Sequence, residues 1–594
     1  MSARELITDH LDLWTGAVTS RSTAGRGRNG KIELTGIKKL RELILELAVR
    51  GKLVEQDPDD EPASVLLARI AEEKARLVKE GKIKKPKKLP EVARNDLPAP
   101  LPRGWVAITL SHLGVFCGGK TPSKSKGEFW DGDIPWVTPK DMKFAEITDT
   151  KDHVTDAATA SGGLELLPQS AVLFVVRSGI LRRMFPTAIT RTQCTINQDL
   201  KALQLFKPDM ARYIQIMSWG FEGFILTNLT KTGTTVESLK FSDFASQAFP
   251  LPPLDEQHRI VEKVDELMAL CDRLEQQVGD QLEAHEVLVD TLLDALTRSA
   301  DAAKVGENWA RIAEHFDTLF TTEASIDKLK QAILQLAVMG RLVEQDPNDE
   351  TASMLLGRIA GEKARLVQEG KIKKSKSLPP VRDEERSYAT HENWVWARFQ
   401  DIANEISTGP FGSMIHKHDY VDDGVPLINP SHMINGQIQE DRSVSVTAHK
   451  AEELSSYKLS SGDIVMARRG EVGRCAIVTD REAGWLCGTG SFALRFYKNI
   501  SRRYILMMFS TVAVRGYLAG NSVGTTMTNL NHGILNKMPV ALPPKDEQHR
   551  IVEKVDELMA LCDQLKARLG EAGETQTKLA TNIVEKTIQE ESCQ

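Results

Sequence analysis

The chain has 594 residues, 41% hydrophobic and 27% charged, with a formal net charge of −6. This composition fits folded protein rather than disorder, and the length exceeds what one core supports, so three or four domains are expected. No apolar run approaches the ~20 residues of a membrane span, the start MSARELITDHLDLW lacks a signal pattern, and seven scattered cysteines without a CxxC pair argue against zinc or a disulfide framework and for the cytoplasm.

From the N-terminus, the apolar spacing of Leu40, Leu43, Ile44 and Leu47 predicts a helix over Leu40–Val54 that stops at Gly51. Ser64 can cap a second helix, Val65–Glu80, ended by Gly81. KIKKPKKLPEVARNDLPAPLPRG then reads as an extended linker. Its Lys84–Lys88 run is either a solvated stretch or a phosphate contact. Trp105–Pro250 is dense in Gly, Pro and Thr. It reads as an α+β globule with a first strand from Trp105 to Leu110, a buried strand Ala171–Val176 and an amphipathic helix near Met210–Leu226. Beyond it, Ile260, Val264, Leu267, Cys271, Leu274 and Val278 alternate spacings of four and three. That is a helix with a coiled-coil seam, more than about 30 residues and about 50 Å long.

The whole order then recurs. DEQHRIVEKVDELMALCD, Asp255–Asp272, is repeated without change at Asp546–Asp563, an offset of 291. Leu47–Lys87 matches Leu336–Lys376 in 32 of 41 positions, an offset of 289. The second insert, Trp394–Val540, resembles the first far less; a buried strand Asp463–Arg468 and a helix near Arg502–Leu518 are expected in it. The expected parts are therefore 1–104 (helical repeat and linker), 105–252 (first insert), 253–300 (long helix), 301–393 (second helical repeat and linker), 394–543 (second insert) and 544–594 (C-terminal long helix). The expected fold class is α+β: two α+β domains separated by long antiparallel coiled-coil helices, with pseudo-twofold, circularly repeated architecture. The C-terminal helix can find its partner in the N-terminal segment. Two separate helical hairpins are the other arrangement the pattern permits. A scaffold about 50 Å long can hold two readers roughly one duplex turn (~34 Å) apart.

Charge is distributed to match. Trp105–Pro250 holds 15 Lys and Arg against 14 Asp and Glu, and Trp394–Ala541 holds 15 against 13, so the rest of the chain carries −9 of the total −6. That permits nucleic-acid contact by the inserts without establishing it, and much of any phosphate neutralisation would have to come from a partner.

Catalytic motifs fail their context. Gly114–Thr121 satisfies GxxxxGK[ST] literally, but Pro122 and a loop follow where a phosphate-binding helix must start. Asn429-Pro430-Ser431-His432 is close to the Asn-Pro-Pro-aromatic loop of amino-methyltransferases but lacks the second proline and the aromatic. His416-Lys417-His418 has no third metal ligand nearby in sequence. The chain reads as a binder. Its candidate contacts in the first insert are Lys120, Thr121, Ser123, Lys124, Lys140, Arg177, Arg182, Arg183, Lys231, Thr234 and Thr235. In the second they are Ser413, His416, Lys417, His418, Asn429, Ser431, His432, Arg468, Arg469, Arg474, Thr525 and Thr526. Arg suits guanine, Asn suits adenine, and Ser or Thr can hold phosphate. Arg468-Arg469-Gly470, just after a buried strand, is the foremost candidate. Trp130 and Trp136 read as core aromatics.

GGKTPSKSKGEFWDGDIPWVTPKDM in the first insert, GPFGSMIHKHDYVDDGVPLINPSHM and GDIVMARRGEVGRCAIV in the second, and the shared insert ends GTTVESLKFSDFASQAFPLPPLDEQHRIVEKV and GTTMTNLNHGILNKMPVALPPKDEQHRIVEKV carry a resemblance over essentially the full length. The sequence resembles the specificity subunit of type I restriction–modification systems, in the branch with a long N-terminal extension. The resemblance implies that each insert is a target recognition domain reading one half of a bipartite, asymmetric site in double-stranded DNA, with the helices as spacer and docking surface. It implies two methyltransferase subunits that methylate adenine N6 and two restriction/translocase subunits as partners, with S-adenosylmethionine, ATP and Mg on those partners and no cofactor, metal or catalytic residue on this chain. The first insert departs from the pattern at VVRSGILRRMF, where such domains show a tidier RxG turn, so Arg468 and Arg469 match it better than Arg177 and Arg182. A stand-alone sequence-specific DNA-binding protein is the alternative.

Overall fold

The computed structural model describes residues 7–16, 19–21, 31–83, 97–160, 163–233, 236–299, 302–372, 374, 376–411, 414–520 and 530–589. Lys84–Lys88 lies outside them. The chain forms two compact units, Met1–Gln281 with Ala572–Gln594, and Leu282–Glu571. The long helices, Leu254–Thr297 and Lys545–Gln589, have 44 and 45 residues and each contributes to both units. They are therefore longer than the apolar seam required, about 66 Å at 1.5 Å per residue. No helix among the described residues is long and apolar enough to cross a membrane.

In the first unit the N-terminal segment and the end of the C-terminal helix come together. Trp14 is fully buried, as is Ala580, and a Cβ on Gly16 would lie 3.4 Å from the Gln576 side chain. The helix Thr35–Val49 buries Leu40, Leu43, Ile44 and Leu47, and Gly51, at φ 70°, follows its end. That face packs on the helix Ala211–Gly220 of the first insert. Gly220 makes the approach possible, because a Cβ there would lie 2.4 Å from Val49. The next helix, Ala63–Lys79, starts before Ser64. Pro62, with φ −55°, stands at its cap without a side-chain bond, and the Ala63 N–H donates to Gly104 O at 3.0 Å. In the second copy Thr351 does cap its helix, Ala352–Gln368.

Among the described residues each insert is built on two larger sheets, with two two-stranded pairs beside them. The first has a five-stranded sheet in the order Gly114–Gly118, Leu200–Leu205, Val172–Val175, Thr187–Thr190, Glu146–Ile147. Beside it runs a three-stranded sheet, Thr195–Ile196, Trp130–Val137, His153–Val154. The second insert orders Ala403–Thr408, Ser491–Phe496, Ile464–Ala467, Cys475–Ile477 in one sheet and Tyr420–Val421, Ser445–Val446, Val425–Ile428, Leu486–Cys487 in the other. The strand expected from Trp105 is only Val106–Ile108, because the Thr109 capping box opens a one-turn helix, Leu110–Leu113. The two expected amphipathic helices are both broken, at Phe221 into Ala211–Gly220 and Glu222–Asn228, and at Thr511 into Arg502–Ser510 and Val512–Gly520. The literal P-loop begins as the strand Gly114–Gly118, antiparallel to Leu200–Leu205, and no helix follows Thr121. Trp136 is buried edge-on against Trp130, with centroids 5.1 Å apart, as core aromatics. The six described cysteines are buried and free.

The same junction fixes each insert to its long helix. The Trp105 indole donates to Glu256 Oε2 at 2.9 Å, and Arg259 holds Asp60 with two bonds, 2.5 and 3.1 Å. In the second unit Trp394 donates to Glu547 at 3.0 Å and Arg550 holds Asp349 at 2.6 and 3.2 Å. Burial pushes both carboxyls, Glu256 and Glu547, above the ordinary range. The conserved partner geometry explains why the junction lies in repeated sequence. Glu256→Gln keeps an acceptor for the buried indole and should cost less than about 1 kcal/mol. Glu256→Ala strands the indole N–H and should cost about 1–3 kcal/mol. Denaturant unfolding of the full chain measures both.

One linker is not the free extended segment that its composition suggests. Arg398, 5% exposed, clamps Glu385 with two bonds of 2.8 and 2.9 Å, and also donates to the Pro379, Pro380 and Lys537 carbonyls at 3.0, 3.2 and 2.8 Å. The chain before the second insert is thereby pinned to that insert.

Candidate functional site

In each insert some of the candidate residues lie beyond the carboxyl ends of one parallel strand pair, an arrangement that leaves loops free to build a site. In the first, Thr195–Ile196 runs parallel to Trp130–Val137. Thr138, just past Val137, closes a tight turn by donating from both N and Oγ1 to Asp141 Oδ2 at 2.8 Å, which raises Lys140 on an exposed tip. Asn197 donates its N–H to Val137 O at 2.9 Å. Gly119 crosses over this point. A Cβ there would lie 1.8 Å from Asn197 O, so only glycine fits. The crossing sets Lys120, whose N–H donates to Ile196 O at 3.0 Å, and Thr121, whose hydroxyl bonds Gln198.

The buried strand Val172–Val175 delivers Arg177 to the same place. Its N–H donates to Asp199 O at 3.3 Å, and it bridges Ser238. Arg182, on the short 3-10 turn Gly179–Arg182, is ion-paired to Glu237, a nearly buried carboxylate held below the ordinary range by that guanidinium. Arg183 is exposed beside it. Lys231 is exposed on the hairpin Thr230–Lys231 with Ser238–Leu239. Ser123 and Lys124 sit on a separate exposed loop anchored by the Trp130 indole, which donates to Ser123 O at 3.2 Å. Thr234 and Thr235 lie outside the described residues.

The second insert repeats the arrangement with other side chains. Leu486–Cys487 runs parallel to Val425–Ile428, and the Gly488 N–H donates to Ile428 O at 3.0 Å. Gly409 crosses above, where a Cβ would lie 1.9 Å from Gly488 O. The turn Asn429-Pro430-Ser431-His432 takes the place of Thr138–Asp141. His432 is buried, its Nδ1 3.3 Å from the Asn429 N–H and 3.1 Å from Leu427 O. Against expectation it is therefore a structural member of the turn. It supports Asn429 and the exposed Ser431, and its ring is not on offer to a ligand.

After the buried strand Ile464–Ala467, Arg468 donates its N–H to Gly490 O at 2.9 Å. Its guanidinium lies over the Phe492 ring, 5.4 Å from the centroid, and Phe492 meets His532 edge-on at 5.2 Å. Burial first, and Arg469 second, pull the Arg468 guanidinium below its usual value; burial likewise lowers His532. Arg469 is exposed. Arg474 is turned back on Glu471 and Pro430 O, which makes it a support for the turn. His416, Lys417 and His418 form an exposed 3-10 turn with stacked imidazoles 5.4 Å apart; no described contact joins them to Arg468. Ser413, Thr525 and Thr526 lie outside the described residues. Among the described residues no His, Cys, Asp and Glu group has the makings of a metal site.

Three participants were missed by sequence reasoning: Glu237, Phe492 and His532. Glu237 and His532 stand just downstream of the repeated Gly-Thr-Thr segment at each insert's end, Gly233–Thr235 and Gly524–Thr526. Reading those few residues further in the two copies would have found both. Phe492 had no such signal.

The model of the type I restriction modification DNA specificity domain matches residues 102–284 and 392–572, once over each insert and its junction. The chain is 38% identical to the EcoAI specificity subunit of a type I restriction enzyme from Escherichia coli, over 609 aligned positions covering 99% of this chain and all of that one. It is 37% identical to the EcoEI specificity subunit of Escherichia coli over 607 positions, with 99% and 100% covered. The crystal structure of the HsdS subunit from Thermoanaerobacter tengcongensis aligns with a TM-score of 0.36 and 17% identity, covering 82% of this chain and 97% of that one. Matched over both inserts by one family model, and along its length by relatives above 30% identity, this chain belongs to the type I restriction modification DNA specificity family.

Proposed function

We propose that the chain is the sequence-specificity subunit of a type I restriction–modification complex, in which each insert reads one half of a bipartite, asymmetric site in double-stranded DNA. The observation that supports this is one backbone arrangement built twice with different rims. Gly119 and Gly409 make equivalent crossings, yet Lys120, Thr121, Arg177 and Glu237 surround the first while Asn429, Arg468 and His532 surround the second. A shared frame with unlike side chains is what two dissimilar half-sites require. The helices act as spacer and as docking surface for two methyltransferase subunits, and two restriction/translocase subunits join for cleavage. S-adenosylmethionine, ATP and Mg belong to those partners, whose positive charge compensates the acidic frame; this chain itself is non-catalytic.

Mapping adenine methylation across a host genome with and without the chain tests the reading. The expected result is one two-part motif that vanishes with the chain; methylation independent of it would refute the assignment. A gel shift of the purified chain without methyltransferase subunits should give weak, salt-sensitive binding, whereas tight specific binding alone would favour a stand-alone DNA-binding protein. Arg468→Ala should relax one half-site only, by about 1–3 kcal/mol of discrimination, and leave the other intact.

A further inference from the structure

Resting on that reading, we propose that Arg468 identifies a guanine in the half-site of the second insert, and that Phe492 and His532 are positioning residues that hold it for this purpose. Arg468 is half-buried, and its Nε is buried and donates to nothing among the described residues. No described carboxylate pairs with its guanidinium; the nearby Arg474 and Arg495 take up Glu471, Glu405 and Asp463 instead. A desolvated arginine without an internal anion keeps its donors for an external acceptor. Its plane is set by the Phe492 ring, which is set in turn by His532, itself 3.1 Å from Ile406 O.

A phosphate contact needs charge but no fixed plane, and the exposed Arg469 serves that end. A planar fork locked against an aromatic ring matches the paired O6 and N7 acceptors of guanine in the major groove. In the first insert the arginine over a ring, Arg212 on Trp219 at 5.1 Å, is paired with Asp265, and Arg182 is taken up by Glu237. The proposal therefore concerns the half-site of the second insert alone.

The test uses the full chain assembled with its methyltransferase subunits, on duplexes carrying the mapped site. Each guanine of the second half-site, on either strand, is replaced in turn by 7-deazaguanine, which removes the N7 acceptor. One position should weaken binding by about tenfold in the unaltered protein, the loss of one of two donor–acceptor bonds. In Arg468→Ala that same replacement should have no further effect. Phe492→Leu and His532→Ala should reduce discrimination at that position several-fold, and in both the 7-deazaguanine effect there should shrink in step. Insensitivity of the unaltered protein to every 7-deazaguanine would overturn the proposal. So would an Arg468→Ala protein weakened equally on all duplexes with a shallower salt dependence, or full discrimination in Arg468→Lys. Failure of the unaltered protein to distinguish any duplex sequence would instead sink the specificity-subunit reading itself.

Discussion

Inserting four residues after Leu274 is expected to abolish recognition of the original site and create recognition of a new one, with both half-sites unchanged and the gap between them altered. Leu274 lies within the unbroken helix Leu254–Thr297, whose two ends belong to different units. Four residues add about 6 Å and slightly more than one turn. That is one to two steps of duplex at ~3.4 Å each, with nearly the original facing. Because a misplaced half-site loses all its base contacts, affinity for the old site should fall by at least about a thousandfold, toward non-specific binding. Methylation mapping in cells reads the result directly. Altered half-sites, or an unaltered gap, would contradict the role of the helix as spacer.

Arg398→Ala should be strongly destabilising, by about 1–3 kcal/mol, the cost of stranding buried carbonyl acceptors. The arginine is nearly buried, and its loss leaves the Pro379, Pro380 and Lys537 carbonyls without this donor and the Glu385 carboxylate with Arg382 alone. A pH signature accompanies it. The Arg398 guanidinium first, and the Arg382 N–H second, lower Glu385 from its ordinary 4.5 to about 2. A depressed carboxylate contributes stability that is complete above its ordinary value and disappears as pH falls toward the folded value. The parent protein should therefore lose stability between about pH 4.5 and pH 2 through this pair. Arg398→Ala should already lack the Arg398 share of that contribution at neutral pH, keep the share due to Arg382, and show a flatter acid limb. Thermal unfolding followed across this range decides the matter; an unchanged acid limb would show that Glu385 draws its support elsewhere.

The repeated frame was legible because periodicity and duplication are global signals. The offset of Asp255–Asp272 to Asp546–Asp563 and the four-three spacing from Ile260 both led to helices found where expected. Local punctuation was less legible. Phe221 and Thr511 break helices whose apolar pattern runs straight through, because the break answers to packing in the insert and not to propensity. His432 stands in a polar loop as a candidate DNA contact, yet it is buried beneath that turn. Nothing in the order of residues says which side of a short loop faces inward. The Arg468 position was legible because a buried strand ending in Arg-Arg-Gly is unusual; its aromatic support was not, since Phe492 comes from a neighbouring strand 24 positions later.

Gly119 and Gly409 sit where two stretches of main chain nearly touch, with no room for even a methyl group. Mutation at those two points is closed, whereas Lys120, Thr121, Asn429 and Arg468 around them meet no such limit. Such a mount lets descendants of this chain acquire new preferences by changing the fittings around it, and it localises where that drift can occur.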